Sequence, residues 1–235
     1  MSQKPWNRKI FTARLRQVGT SIYHDKHPFH VRMNSGGLGR DELKAWVANR
    51  FYYQINIPIK DAAILSNCPV REVRRLWLHR IVDHDGLEGD EGGIGAWLRL
   101  GKACGLPRAE MFSSQLVLPG VRFAVDAYVN FARTQPWPIA IASSLTELFA
   151  PDLMAKRLEA FEQFYNWIEP SGLEYFRNRL TQARRDSGEA LELTLTYCTT
   201  RESQEAAVRA LKFKCDLLWA MLDAIQLGTA QPLKR

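Results

Sequence analysis

Cysteine is scarce in this chain and is not arranged for metal binding or for disulfide formation. The four cysteines lie far apart, with no CxxC pair and no histidine at ligand spacing: Cys68, Cys104, Cys198 and Cys215. Structural zinc sites and disulfide frameworks both depend on closely grouped cysteines. We therefore expect free, mostly buried thiols in a reducing compartment.

Long apolar runs and basic clusters are also missing. The first residues, MSQKPWNRKI, lack the apolar core of a signal peptide, and no segment approaches the roughly 20 apolar residues of a membrane span. The net charge is +7, but the basic residues are spread along the chain, so neither nucleic acid nor a membrane is an expected partner. We expect a cytoplasmic protein.

Sequence signatures of several large enzyme classes are absent. The chain contains no glycine-rich phosphate loop, no GxSxG elbow and no Rossmann fingerprint. The stretch DEGGIG follows no predicted strand, so it is interpreted as a loop.

What the chain does contain is helical periodicity. Apolar residues recur every three or four positions in six segments, while strand-like alternation is almost absent. No linker divides the 235 residues. We predict an all-α fold, a single-domain bundle spanning residues 1–235 with about seven to ten helices, including the segments 41–56, 70–84, 120–134, 140–163, 173–187 and 200–226.

Capping residues predict where some helices begin. Asp41 can cap the first of these segments, and Thr199 with Glu202 fits a capping box for the last. Pro119 and Pro138 stand where first-turn prolines are favoured.

The richest stretch in functional groups is NRFYYQINIPIK. Arg50, Tyr53 and Gln54 are three and four positions apart and share one helical face. Pro58 is expected to stop this helix, so that Lys60 returns from a turn to the same place. A cation, a phenol and an amide on one face suit a flat, oxygen-rich polyanion better than a hydrophobic core.

A second candidate group is the pair Arg80 and His84, spaced by four residues near a predicted helix end. An ordinary histidine pKa of about 6.5 would allow proton transfer at neutral pH, with Arg80 holding an anion beside it. The alternative is that His84, flanked by Asp83 and Asp85, is a partner of the helix dipole. The residues alone leave both open.

Other polar residues fall in helical or apolar surroundings. Tyr175 and Arg179 repeat the spacing of four, which fits a proton donor beside an oxygen species or an ordinary surface pair. Glu147, among small and apolar residues, should be paired or carry a shifted pKa. Lys212 and Lys214 point to different sides of one helix, so one should face the bundle interior.

Histidines occur at every third position in YHDKHPFH, as His24, His27 and His30. Pro28 argues against one continuous helix, and no carboxylate completes a familiar ligand set, so a metal site is not favoured. From the residues alone, Tyr128 is equally consistent with core packing.

Long blocks of the sequence resemble the pyrroloquinoline quinone synthase family. The similarity runs from about Ala13 to Ile225 and is carried by VANRFYYQINIPIKDAAILSNCP, RIVDHDG, GGIGAWLRLG, VLPGVRFAVDAYVNFAR, SSLTELFAP and FKCDLLWAMLDA. The resemblance implies a helical fold like that of haem oxygenase and TenA-like proteins, and a homodimer.

The activity that this resemblance implies is a cofactorless oxidation, the last step of pyrroloquinoline quinone biosynthesis. The implied substrate is a reduced, open-ring quinoline precursor with several carboxylates, which is closed and oxidised by O2 with release of hydrogen peroxide. No metal, flavin or other cofactor is implied, because the substrate's own ring system is redox-active.

The resemblance also assigns site residues. His84 is the implied general base, and Tyr175 with Arg179 form the implied oxygen site. Arg50, Lys60, Arg80 and Lys214 would anchor acidic groups, and His24, Gln54 and Glu147 would orient the substrate. Tyr23, Tyr53 and Tyr128 complete the implied substrate-binding set.

One position departs from the family pattern. Met154 stands in APDLMAKRL where the family often has histidine, and a thioether can neither relay a proton nor donate a hydrogen bond. Proton delivery would then rest on His84, Tyr175 and Arg179, or the later oxidations would be slower.

Three other functions compete with this interpretation. A metal-dependent oxygenase of the same fold predicts stoichiometric iron or manganese. A non-catalytic binder of the quinone or its precursor predicts binding without oxygen consumption. A thiaminase-like hydrolase needs an activated cysteine, and no cysteine here has a polar, activating context.

Overall fold

The computed structural model describes residues 3–230, apart from the side chain of Arg184. This part of the chain is all-α, as predicted, and contains no strands; Leu87 and Asp90 form an isolated bridge. Its α-helices are α1 (Arg8–Ile22), α2 (Pro28–Asn34), α3 (Arg40–Asn67), α4 (Arg71–Trp77), α5 (His79–Asp85), α6 (Gly92–Ala103), α7 (Arg108–Ser113), α8 (Pro119–Thr134), α9 (Trp137–Ser143), α10 (Ala150–Phe164), α11 (Glu174–Tyr197) and α12 (Arg201–Ala230).

The helices within the described residues outnumber the seven to ten predicted, because two of the predicted segments are broken. Segment 70–84 divides at Leu78 into α4 and α5. Segment 140–163 contains the end of α9, the 3₁₀ turn Ser144–Leu148, and α10. Apolar periodicity continues through such breaks, so it does not mark them.

The predicted first-turn prolines are confirmed, and the two predicted caps are wrong by one or a few residues. Pro119 and Pro138 lie in the first turns of α8 and α9. At α3, Glu42 rather than Asp41 accepts a hydrogen bond from the Gly39 N–H, at 2.9 Å.

At α12, the cap is a reciprocal pair one residue beyond the predicted Thr199 and Glu202. The Ser203 N–H donates to Thr200 Oγ1, and the Thr200 N–H donates to Ser203 Oγ, both at 3.1 Å. A serine hydroxyl satisfies the backbone donor as a glutamate would.

Pro58 does not end its helix, contrary to the sequence prediction. The helix α3 continues through the buried Pro58 to Asn67. Proline removes one backbone hydrogen bond, but α3 is packed against α5, α6, α8 and α12, and this burial holds the helix together. Lys60 therefore extends from the same helix as Arg50.

The core surrounds α3 and is rich in aromatic side chains. Trp46, Trp97 and Phe161 are at most 1% exposed, and Trp97 Nε1 donates to the Val47 carbonyl at 3.0 Å. All four cysteines are buried free thiols, as predicted. Among residues 3–230, we find no helix with the length and apolar character to cross a membrane.

Candidate functional site

A polar cavity lies at the centre of the bundle, between α3, α5, α8, α11 and the turn Ser144–Leu148. Twelve of the thirteen residues assigned to the site from the sequence line it, and the thirteenth, Lys214, contacts two of them from α12. The twelve are Tyr23, His24, Arg50, Tyr53, Gln54, Lys60, Arg80, His84, Tyr128, Glu147, Tyr175 and Arg179. The free volume is about 50 Å³, which is room for a few water molecules.

One wall of the cavity is the face of α3 noted in the sequence. The Arg50 guanidinium lies 3.9 Å from the centre of the Tyr53 ring. Lys60 is 1% exposed and donates to Ser144 Oγ at 3.1 Å and to the adjacent carboxylate of Asp61. This wall therefore presents two fixed cations to the cavity.

Lys214 is a third basic side chain, and it has no hydrogen-bonding partner within the described residues. Its Nζ lies 3.3 Å from the Tyr128 ring centre and 4.2 Å from that of Tyr53. Burial, with Arg50 and Lys60 nearby, holds the pKa of Lys214 well below its ordinary value. The predicted division of the two lysines is confirmed, since the Lys212 side chain is 59% exposed.

His84 lies at the end of α5, with its Nδ1 3.0 Å from the Arg80 carbonyl. A carbonyl only accepts, so Nδ1 carries the proton and Nε2 is left as the basic nitrogen. Burial, and then the charge of Arg179, lowers the His84 pKa to about 4. The expectation of an ordinary histidine pKa is therefore wrong.

A neutral His84 can accept a proton at neutral pH but has none to donate from the basic nitrogen. A neutral ring also contributes no charge to the end of α5, which argues against the helix-dipole interpretation. Neighbouring Asp83 instead pairs with Arg185.

Two arginines and two carboxylates form a compact network beside His84. Arg179 Nη2 donates to Glu147 Oε2 at 2.6 Å, and Arg179 Nη1 to Asp186 Oδ2 at 3.3 Å. Arg80 lies 3.6 Å from Glu147 and 3.5 Å from Asp186. Glu147 is thus paired, as predicted. Burial alone would lower the pKa of Arg179, but Glu147, Tyr175 and Asp186 outweigh it and raise that pKa.

Tyr175 is directed into the cavity by its neighbours. Its hydroxyl donates to Gln54 Oε1 at 3.1 Å, and its ring meets Trp97 edge-on at 4.8 Å. Met154 lines the same cavity and is 8% exposed. The thioether therefore lies in the lining of the cavity that His84 and Tyr175 share.

The three histidines near the N-terminus do not converge on one point. His24 and His30 have rings 4.8 Å apart, but His27 contacts Asp223 at 3.1 Å. His30 Nε2 lies 3.0 Å from Arg157 Nη2, and a nearby guanidinium disfavours a metal cation. Burial, followed by neighbouring arginines, lowers the pKa of His24 and of His30 well below ordinary values.

Within residues 3–230, the group of three side chains that could hold a metal is His79, Asp186 and Glu189. It lies behind the cavity. Asp186 is already paired with Arg80, Arg179 and Arg185, so a cation there would meet three positive charges.

Sequence reasoning missed Asp61, Arg157 and Asp186, which are the buried charged groups behind the cavity. Burial alone would raise the pKa of Asp61, but Lys60 and Arg80 outweigh it and lower that pKa. Arg157 is 3% exposed and its guanidinium lies 5.1 Å from the Trp46 ring centre. The adjacency of Lys60 and Asp61 was a visible signal, whereas nothing local marks Arg157 or Asp186.

Comparison with known proteins agrees with this architecture. Residues 12–224 match the model of the TENA/THI-4/PQQC family. The chain is 56% identical over 228 residues to the pyrroloquinoline-quinone synthase of Ectopseudomonas mendocina, covering 97% of this chain and 91% of that protein. The enzyme of the same name from Pseudomonas putida strain W619 is 58% identical over 218 residues, covering 93% and 86%.

Solved structures with low sequence identity share the fold. A TenA homologue from Pseudomonas syringae superposes with a TM-score of 0.77 at 11% identity, covering 97% of this chain and 98% of that one. A domain with a haem-oxygenase-like fold from Shewanella denitrificans gives 0.75 at 13% identity, covering 94% and 91%.

Proposed function

The chain belongs to the TENA/THI-4/PQQC family and, within it, to the pyrroloquinoline-quinone synthases; from this premise we propose that it catalyses the final, oxidative step of pyrroloquinoline quinone biosynthesis. The observation that supports this most directly is the cavity itself. It gathers buried cations, a neutral histidine and a tyrosine around one space.

The proposed substrate is the open-ring precursor, a dioxo-hydroquinoline dicarboxylate with an amino-carboxyethyl arm. Its three carboxylates are complementary in charge to the basic side chains of Arg50, Lys60, Arg80 and Lys214. Lys214 is the best suited of these to a substrate carboxylate or quinone oxygen, because its ammonium has no hydrogen-bonding partner in the described residues. The free space is small, so binding requires the lining side chains to move outward.

The proposed reaction begins with ring closure. The substrate amine adds to the ring carbon that is conjugated with a quinone carbonyl: a C–N bond forms, the electron pair of the ring C=C bond moves towards the carbonyl oxygen, and the amine proton is transferred within the site, so that both quinone oxygens are retained. Glu147 and His24 line the cavity and are proposed to orient the amine. Each later two-electron step removes two hydrogens from the substrate, and one O2 takes them up as hydrogen peroxide. The electrons pass through the substrate's own ring system, and no cofactor is proposed.

His84 is proposed to remove protons from substrate carbon. Its Nε2 is the basic nitrogen, since Nδ1 is bound to the Arg80 carbonyl, and its lowered pKa keeps it neutral and able to accept a proton. Arg179 and Tyr175 are proposed to stabilise the reduced oxygen species. Oriented donors in a buried site stabilise developing negative charge without reorganisation.

Met154 cannot contribute a proton at this site. We therefore propose that the oxygen species receives its protons from His84, once His84 has removed them from carbon, and from the Tyr175 hydroxyl. A single histidine would then serve as base in one half of each oxidation and as acid in the other.

Oxygen uptake with the purified precursor tests the proposal. The wild-type protein should consume O2 and develop quinone absorbance over many turnovers, with hydrogen peroxide as a product. His84→Ala should slow uptake by about 10²- to 10⁴-fold, the usual contribution of a general base. Asp85→Asn, an exposed change on the same helix, serves as the control and should match wild type.

Three outcomes would refute parts of this proposal. Precursor binding without oxygen uptake would indicate a binder and not an enzyme. Stoichiometric iron or manganese in the active preparation, with activity lost on chelation, would indicate a metal-dependent oxygenase. A wild-type rate in His84→Ala would remove His84 from its proposed role.

A further inference from the structure

Asp186 is a buried carboxylate that lies behind the cavity and does not line it. It stands on α11, two turns after Arg179, and is 1% exposed. Its Oδ2 lies 3.3 Å from Arg179 Nη1 and 3.5 Å from Arg80 Nη1. Its Oδ1 accepts from Arg185 Nη2 at 2.9 Å. One carboxylate therefore contacts the guanidinium groups of two arginines, Arg80 and Arg179, that also line the cavity.

The geometry holds Arg179 at two points of its guanidinium. Nη2 donates to Glu147 and Nη1 to Asp186, so the plane of the group is fixed. Glu147 lines the cavity, with its side chain 21% exposed, and it is the partner that would turn towards a bound ligand. Asp186 is enclosed and would then be the contact that still orients the guanidinium.

Asp186 keeps its negative charge in this environment. Burial alone would raise its pKa, but Arg80 and Arg179, followed by Arg185, outweigh burial and lower the pKa to about 2. A permanent counter-charge also offsets part of the cost of burying two guanidinium groups side by side.

We propose that Asp186 is a positioning residue that orients Arg179 and Arg80 for the oxidation from behind the cavity. This inference rests on the proposed function, because it acts through the two arginines assigned there. It predicts that Asp186 affects the oxygen-dependent steps without touching the substrate. On the side of Asp186 away from the cavity, His79 contacts the Asp186 carboxylate and also Glu189. Neither His79 nor Glu189 is part of the proposal.

The first test compares Asp186→Asn with Asp83→Asn. Both variants remove a carboxylate that pairs with Arg185, but of the two carboxylates Asp186 is the one in ion-pair contact with Arg80 and Arg179. We expect Asp186→Asn to lower the maximal rate of oxygen uptake about tenfold, the effect of losing one charge-assisted hydrogen bond. Asp83→Asn should leave the rate unchanged. Equal rates in Asp186→Asn and wild type would overturn the inference.

A double-variant cycle separates positioning from a structural role. If Asp186 acts through Arg179, then Asp186→Asn should slow an Arg179→Lys enzyme by less than about threefold, because the interaction is already lost. A full tenfold loss in that background would show independent effects and overturn the proposal. If Asp186→Asn does not fold, Asp186→Glu, which keeps the charge on a longer arm, enters the same cycle with the same criterion.

These results are distinguishable from failure of the proposed function. A wild-type protein that does not oxidise the precursor refutes the proposed function before any variant is compared. An active wild type with additive variants refutes the role of Asp186 alone.

Discussion

The protonation state of His84 makes a measurable difference to stability as well as to catalysis. In the folded protein, burial and the charge of Arg179 lower its pKa from the ordinary 6.5 to about 4. In the unfolded chain the imidazole regains the ordinary value. Between these two values the unfolded state binds more protons, so the free energy of unfolding falls as the pH is lowered through this window.

The size of the effect follows from the two pKa values. Proton linkage with an unfolded pKa of 6.5 and a folded pKa of about 4 gives a loss of about 2 kcal/mol between pH 7.5 and pH 5. Replacing His84 with glutamine removes this titration. The wild-type protein should therefore lose about 2 kcal/mol more than His84→Gln over the same interval.

Denaturant unfolding at the two pH values measures this difference. Burial also lowers the pKa of two other histidines, His24 and His30, but they are present in both proteins and cancel in the comparison. A difference smaller than about 0.5 kcal/mol would refute the argument that the folded protein holds His84 neutral.

The same pKa predicts the acid side of the activity profile. The ratio kcat/KM reports groups of the free enzyme, so its acid limb should fall near pH 4, where His84 becomes protonated. A limb near 6.5 that disappears in His84→Gln would show an ordinary histidine and contradict the structure.

Two further predictions concern stability and binding. Gly86→Ala should lower the free energy of unfolding by at least about 2 kcal/mol more than Gly89→Ala, as measured by denaturant unfolding. Both glycines have positive φ, but a Cβ at Gly86 would lie 1.9 Å from the Asp90 carbonyl oxygen, whereas a Cβ at Gly89 would have nothing within 4 Å. Equal losses in the two variants would contradict this. Lys214→Met should raise stability by about 1 kcal/mol, since it removes a buried polar nitrogen without a hydrogen-bonding partner. The same variant should weaken anaerobic precursor binding about tenfold, whereas Lys212→Met, on the surface, should change neither quantity.

Local features of the chain were well predicted. Helical periodicity identified the fold class, and spacings of three and four residues placed Arg50, Tyr53 and Gln54 on one face, which now lines the cavity. Both predictions depend on the repeat of the α-helix, which relates residues that are only a few positions apart. The breaks at Leu78 and around Ser144–Leu148 were not visible, because apolar spacing runs through them.

The assignment of pocket residues came from the resemblance of long sequence blocks and not from spacing. His84 and Arg179 are almost a hundred positions apart, and no local pattern relates them. Packing of α5 and of α11 against α6, together with ion pairs between α5 and α11, brings them to one site. Pro58 illustrates the opposite error, since a strong local rule was overridden by burial of the helix around it.

The sequence by itself determined that the chain is helical, which face of α3 is polar and which family it resembles, because these depend on side-chain period and on residue identity. Tertiary structure alone decided the electrostatic state of the site: a neutral His84, a Lys214 without a hydrogen-bonding partner within the described residues, and Asp186 behind two arginines. Burial and charge separation set a pKa, and both are properties of groups that meet only when the chain folds.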